Sequence, residues 1–107
     1  MRRGDLVTVA LQGDYGKPRP ALVIQSDLFD GHPSVTILPI TSALVDAPLF
    51  RLSVDPTPGN GLRKRSQVMV DKVQTIARDK IGAAFGRLED ESMLAVNRAF
   101  LLWIGVA

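Results

Sequence analysis

Gly16-Lys17-Pro18-Arg19-Pro20-Ala21-Leu22-Val23-Ile24-Gln25 is the stretch on which the reading of this chain turns. Pro18 and Pro20 lock φ and push the residue before each towards extended geometry. Arg19 therefore stands on stiff backbone where a polar loop becomes a strand. Residues 21–24 are apolar without alternation, the pattern of a strand covered on both faces. A guanidinium fork at the mouth of such a strand suits a phosphate or a carboxylate. These ten residues alone leave that role open against a surface ion pair.

Outward from this stretch the chain reads as short strands and turns. Residues 5–11 alternate around Val7, Val9 and Leu11 and form a first strand. Residues 12–17 read as a mobile polar loop joining two antiparallel strands, with Tyr15 as its one apolar anchor. After the second strand, Ser26 and Asp27 cap a short helical turn over Leu28 and Phe29. Asp30-Gly31-His32-Pro33 is a turn. A third strand covers 35–40, a patternless loop 43–48, and a fourth strand 50–54. The prolines and glycines of 55–61 make a turn. A fifth strand covers 67–70, with Asp71 at its end. Residues 73–77 continue extended, and 78–81 form one helical turn before Gly82. Only 89–104 carries helical periodicity, with Met93, Val96, Phe100, Trp103 and Ile104 on one face. Its acidic start, Glu89-Asp90-Glu91, complements the positive end of the helix dipole. This pattern predicts a mainly β fold, a strongly bent sheet or small barrel, with a C-terminal helix against its open face.

A chain of 107 residues suits a single domain spanning 1–107. The absence of cysteine excludes disulfides and thiolate metal sites. No signal peptide or membrane-spanning run is legible, so the expected location is cytoplasmic, with no membrane partner. The net charge of +2 permits a nucleic-acid partner without requiring one. Its distribution is more telling: Lys17 and Arg19 form one basic cluster, and Arg63, Lys64 and Arg65 a second.

The residue inventory limits the chemistry. His32 is the sole histidine and lies in a turn, so an acid–base histidine pair and a histidine metal site are both out of reach. There is no GxSxG elbow and no phosphate-binding loop. An arginine with hydroxyl or carboxylate helpers remains, and arginine acts best as a fixed positive charge. RNA cleavage fits so limited a set, because RNA brings its own nucleophile. The 2′-hydroxyl lies beside the scissile phosphate, and the protein need only align the attack and neutralise charge.

Further pieces extend the pattern: Arg3-Gly4-Asp5-Leu6-Val7, Pro39-Ile40-Thr41-Ser42, Ser66-Gln67-Val68-Met69-Val70-Asp71, Lys72-Val73-Gln74-Thr75-Ile76 and Gly86-Arg87-Leu88. Together with Arg19-Pro20-Ala21-Leu22-Val23-Ile24-Gln25, in this order and spacing, they resemble toxins of the MazF/PemK/Kid family. These are the endoribonuclease half of bacterial toxin–antitoxin pairs. The resemblance implies an SH3-like β-barrel of the CcdB/MazF toxin type, acting as a homodimer. It implies sequence-specific, metal-independent cleavage of single-stranded RNA, with no cofactor, leaving 2′,3′-cyclic phosphate and 5′-hydroxyl ends. A cognate antitoxin with an acidic, disordered tail would fill the RNA groove.

The resemblance makes Arg19 and Thr41 the catalytic pair and the loop 12–17 a cover for the RNA. Asp71 matches an aspartate that takes part in some members, as a catalytic or orienting group. Those members carry an arginine where this chain has Met69, so the charge has moved, or Arg63, Lys64 or Arg65 replaces it. Tyr15, Lys17, Ser42, Arg63, Lys64 and Arg65 are the candidate RNA contacts, Tyr15 by stacking on a base. The rival on the same fold is a CcdB-like toxin that binds DNA gyrase through a C-terminal Trp-Gly-Ile. Trp103-Ile104-Gly105 is similar to it but rearranged. A member that binds RNA or antitoxin without cutting is a third reading.

Overall fold

The structure is a computed structural model that describes residues 1–11 and 17–107. Its strands are β1 (Asp5–Ala10), β2 (Pro18–Val23), β3 (Ser34–Thr41), β4 (Arg51–Val54), β5 (Ser66–Met69), β6 (Gln74–Ala77) and β7 (Ile81–Arg87). One helix, α1 (Asp90–Trp103), follows. The strands form one antiparallel sheet in the order β4-β5-β3-β2-β1-β7, with β6 paired to β3. The ends of that path, β4 and β7, do not pair among the described residues, so the expected barrel is open rather than closed.

The double-sided burial read from residues 21–24 has a direct cause. Leu22 faces one apolar cluster with Leu6, Leu38, Val68, Val70, Met93 and Val96, which seats α1 on the sheet. Ala21 and Val23 face a second cluster with Val7, Val9, Val35 and Ile37 on the opposite side. A strand between two cores must be apolar at every position. The long strand β3 is the hub. It pairs with β6 through residues 34–37, with β2 through 37–39, and with β5 at Ile40 and Thr41. It therefore leaves β2 just before its end, and the gap so created is the floor of the site described below.

The predicted caps and turns form. Ser26 Oγ accepts the Leu28 N–H at 3.2 Å over a 3-10 turn, Asp27–Phe29. A second such turn spans Arg78–Lys80. His32 is exposed in its turn. Helix α1 buries Met93, Val96 and Ala99, whereas Trp103 and Ile104 at its end are each 49% exposed. Trp103 leans on Phe50, with ring centroids 5.7 Å apart. The helix stops at Gly105, whose φ of 81° suits a left-handed C-terminal cap.

Beyond the five strands legible in the sequence, the sheet has β6 and β7. Residues 73–77 read as extended, but Ile81-Gly82-Ala83-Ala84-Phe85-Gly86-Arg87 carries no strand pattern. Its small residues answer to space instead. A Cβ at Gly82 would collide with Thr8 Oγ1, and one at Gly86 with the Asn60 carbonyl. The pairing of β7 with β1 is bulged: Leu6 pairs with Gly86 and Val7 with Ala84, leaving Phe85 as an extra residue. No helix among the described residues is long and apolar enough to cross a membrane.

Candidate functional site

Where β3 parts from β2, a groove of about 950 Å³ opens. That is near the upper end of ordinary ligand pockets, about 300–1,000 Å³. Its walls come from the start of β2 (Pro18, Arg19, Pro20), the end of β3 (Pro39, Ile40, Thr41, Ser42) and the segment Gly61, Leu62, Arg63, Lys64. Phe85, beside Gly61, and Met69, Lys72 and Gln74 complete the lining. Arg19, Arg63, Lys64 and Lys72 line it, and no Asp or Glu does among the described residues. Such a wall favours a polyanion.

Strand pairing explains how Arg19 and Thr41 come together. Arg19 is the β1 partner of Val9, and on the other side of β2 the register runs Ala21↔Pro39, Leu22↔Leu38, Val23↔Ile37. The same register carried two residues on sets Arg19 across from Thr41, where β3 has turned to pair with β5 through Thr41↔Gln67. Both residues face the groove. The turn after Thr41 is fixed from outside. Gln67, nearly buried, donates to the Val45 carbonyl at 2.8 Å and accepts the Val45 N–H at 3.0 Å. Thr41 Oγ1 itself accepts the Ala43 N–H at 3.0 Å. One of its two lone pairs is engaged, and the hydroxyl carries a hydrogen that it can donate.

The family described as "PemK-like, MazF-like toxin of type II toxin-antitoxin system" matches residues 2–104. The chain belongs to this family. It is 47% identical over 108 residues to a protein of Mycolicibacterium smegmatis named "Probable endoribonuclease MazF", covering 100% of this chain and 99% of that one. The solved structure of the Mycobacterium tuberculosis toxin MazF-mt6 superposes with a TM-score of 0.82 at 26% identity, over 96% of this chain and 98% of that one. A mycobacterial endoribonuclease in complex with its cognate antitoxin has the same fold, with a TM-score of 0.82 at 20% identity, over 100% of this chain and 97% of that one. The PemK/MazF match leaves the gyrase-binding reading without support. Trp103-Ile104-Gly105 has a structural account as the stacked, glycine-capped end of α1.

The groove does not gather every candidate of this PemK/MazF-like chain. Arg19, Thr41, Ser42, Arg63 and Lys64 line it. Lys17 is exposed just before β2 but does not line it. Arg65 points elsewhere and meets Asp55 at 3.4 Å in an exposed pair. Tyr15 lies outside the described residues. Asp71 is not on the groove wall either. Its two carboxylate oxygens accept from Arg51 Nε at 2.8 Å and Arg51 Nη2 at 3.2 Å. The pair is nearly enclosed, with side-chain exposures of 14% for Arg51 and 13% for Asp71. The Arg51 hydrogen bond holds the Asp71 carboxyl below its ordinary value, and the guanidinium is raised in return.

Arg51 is the residue that sequence reasoning missed. It is the cross-strand partner of Met69, the position where an arginine was expected. The cation has moved to the neighbouring strand, and none of Arg63, Lys64 and Arg65 replaces it at Asp71. The pair clamps the 3-10 turn Val70–Lys72, whose last residue, Lys72, lines the groove. Among the described residues no group of three His, Cys, Asp or Glu side chains is placed to hold a metal ion.

The wall formed by residues 61–64 is stiffened by a second polar network. Asn60 is fully buried. Its Oδ1 accepts the N–H groups of Thr57 and Leu62, each at 3.0 Å, and its Nδ2 donates to the Asp55 carbonyl at 2.9 Å. Glu89, capping position of α1, accepts from Asn60 Nδ2 at 3.1 Å and Thr57 Oγ1 at 2.9 Å. Burial pushes the Glu89 carboxyl up, but these hydrogen bonds prevail and hold it below its ordinary value.

Proposed function

We propose that this chain is the toxin of a toxin–antitoxin pair and a sequence-specific endoribonuclease that cuts single-stranded RNA. The observation that carries the proposal is the groove itself: Arg19 and Thr41 on one wall, cations on the others, and no carboxylate lining it among the described residues.

In this reading the scissile phosphate sits between Arg19 and Thr41. The Arg19 guanidinium takes its non-bridging oxygens by a bidentate fork. The Thr41 hydroxyl, whose oxygen already accepts from Ala43, donates its hydrogen to a third position. Held this way, the neighbouring 2′-oxygen forms a bond to phosphorus while the bond to the 5′-oxygen breaks. The 2′-hydroxyl loses its proton and the departing 5′-oxygen gains one, so the ends are a 2′,3′-cyclic phosphate and a 5′-hydroxyl. The added negative charge of the phosphorane is met by donors already in place, which is where such a site gains most. The reaction draws on the substrate's own nucleophile, so no metal is called for.

Ser42, Arg63, Lys64 and Lys72 hold flanking phosphates, Lys17 and Arg65 are outlying contacts, and Tyr15 is a candidate base contact. Asp71 acts by orientation, keeping Lys72 on the wall. The partners are RNA, a cognate antitoxin whose acidic tail competes for the cationic groove, and a second copy of the chain. The exposed Leu94, Leu101 and Leu102 of α1, with Trp103, suit that last contact. The site of action is cytoplasmic, where its RNA substrate is.

The test is cleavage of a mixed single-stranded RNA in EDTA. Wild-type protein should give discrete cuts. Arg19→Lys, which keeps charge and loses the fork, and Thr41→Val, which loses the donor, should each lower the rate by about a hundredfold or more. Full activity in either variant would remove that residue from the mechanism.

A further inference from the structure

We propose that Phe85 is the base-stacking platform of the groove, on which one nucleobase of the bound RNA lies. This rests on the ribonuclease reading and names a contact within it.

Phe85 occupies an odd place for a large apolar residue. On β7 it falls between Ala84, paired with Val7, and Gly86, paired with Leu6. Two steps on β7 meet one step on β1, so Phe85 is the bulged residue. A bulge takes a side chain out of strict alternation and re-aims it. Neither core cluster includes Phe85. It is 38% exposed and lines the groove.

The ring's seat is built before any ligand arrives. Gly61, with φ of +70°, runs against it so closely that a Cβ there would lie 3.1 Å from the ring and 2.7 Å from the Phe85 carbonyl oxygen. In the same contact Gly86 abuts the Asn60 carbonyl, and Asn60 is immobilised by its four hydrogen-bonding partners. Two glycines thus let the Asn60–Gly61 backbone close on Phe85–Gly86. The adjoining wall residues are Arg63 and Lys64, with Arg19 and Lys72 on the other walls.

A rigid, exposed ring in a groove of cations is the composition that recognises single-stranded nucleic acid. The cations track phosphates, and the ring takes a base by its π-face. Stacking of this kind accepts any base. Phe85 therefore adds to the grip on the strand at one nucleotide without selecting its base.

The experiment uses an RNA oligonucleotide holding one mapped cut site, and copies with a single abasic ribose at each position. Cleavage is measured with the wild type, Phe85→Leu and Phe85→Trp. On intact RNA, Phe85→Leu should raise KM by roughly five- to 150-fold, with kcat little changed. One abasic position should cost the wild type a similar factor and cost Phe85→Leu nothing further. Phe85→Trp should keep the wild-type KM, and its added indole fluorescence should be quenched by intact RNA but not by that abasic copy. A wild-type KM in Phe85→Leu, or equal abasic costs in wild type and Phe85→Leu at every position, would overturn the stacking role alone. A wild-type protein that neither binds nor cuts RNA would overturn the ribonuclease reading, and Phe85 with it.

Discussion

Arg51→Met tests the ion pair that stands in for the displaced arginine. The guanidinium gives Asp71 two hydrogen bonds, at 2.8 and 3.2 Å, and leaves its side chain only 13% exposed. Removing the cation strands a nearly enclosed carboxylate. Breaking a buried pair from one side costs about 3–5 kcal/mol. Residual exposure lets water reach Asp71, which places the expected cost at the lower end, about 3 kcal/mol. For a chain of 107 residues, with an unfolding entropy of about 2.1 cal/mol/K per residue, that is a fall in Tm of about 13 °C. The pH dependence gives a second readout. Arg51 depresses the Asp71 carboxyl, so the pair contributes fully above the unfolded value of about 3.9. That contribution is lost as pH falls through the lower folded value. The gap between wild type and Arg51→Met should therefore be wide at pH 7 and narrow in acid. Adding Asp71→Leu should restore most of the stability, since an apolar pair of similar volume replaces the ions. Thermal melts across pH measure all three proteins. A gap under about 1 kcal/mol at pH 7, or one that does not change with pH, would refute the reasoning.

Glu89→Gln weakens the link between the groove wall and the start of α1 and should cost about 1–3 kcal/mol at neutral pH. The Glu89 carboxyl is also held low, so denaturant titrations should show this difference fading below about pH 4.3. Gly86→Ala drives a Cβ into the Asn60 carbonyl; backbone cannot yield as a side chain would, and chemical denaturation should show a loss of about 3 kcal/mol or more. Arg63→Met, Lys64→Met and Lys72→Met should each weaken RNA binding and flatten the slope of log K against log salt by about 0.7.

The sequence discloses what is local. Residues 21–24 betray their double burial because every position is apolar, and 89–104 betrays its helix because Met93 and Val96 recur at helical spacing. Arg19 and Thr41, singled out by the order of the motifs around them, share the groove. What escaped depends on contacts between distant strands. β7 is rich in Gly and Ala because Thr8 and Asn60 crowd it, and no periodicity records that. Arg51 reaches Asp71 only through the β4–β5 register, which sets it opposite Met69. The one available signal was an aspartate left without its expected arginine. Phe85 escaped because a bulge, invisible in sequence, turns it into the groove.

The central claim is that RNA supplies the nucleophile while Arg19 and Thr41 stabilise the charge. Its most direct test is an oligoribonucleotide with a single 2′-deoxy residue immediately 5′ of a mapped cut, incubated with the wild-type protein in EDTA and analysed for end groups by mass. The account predicts that this phosphate stays intact, while the all-ribose control gives a 2′,3′-cyclic phosphate and a 5′-hydroxyl. Cleavage at the deoxy position, or 5′-phosphate ends from the control, would contradict it.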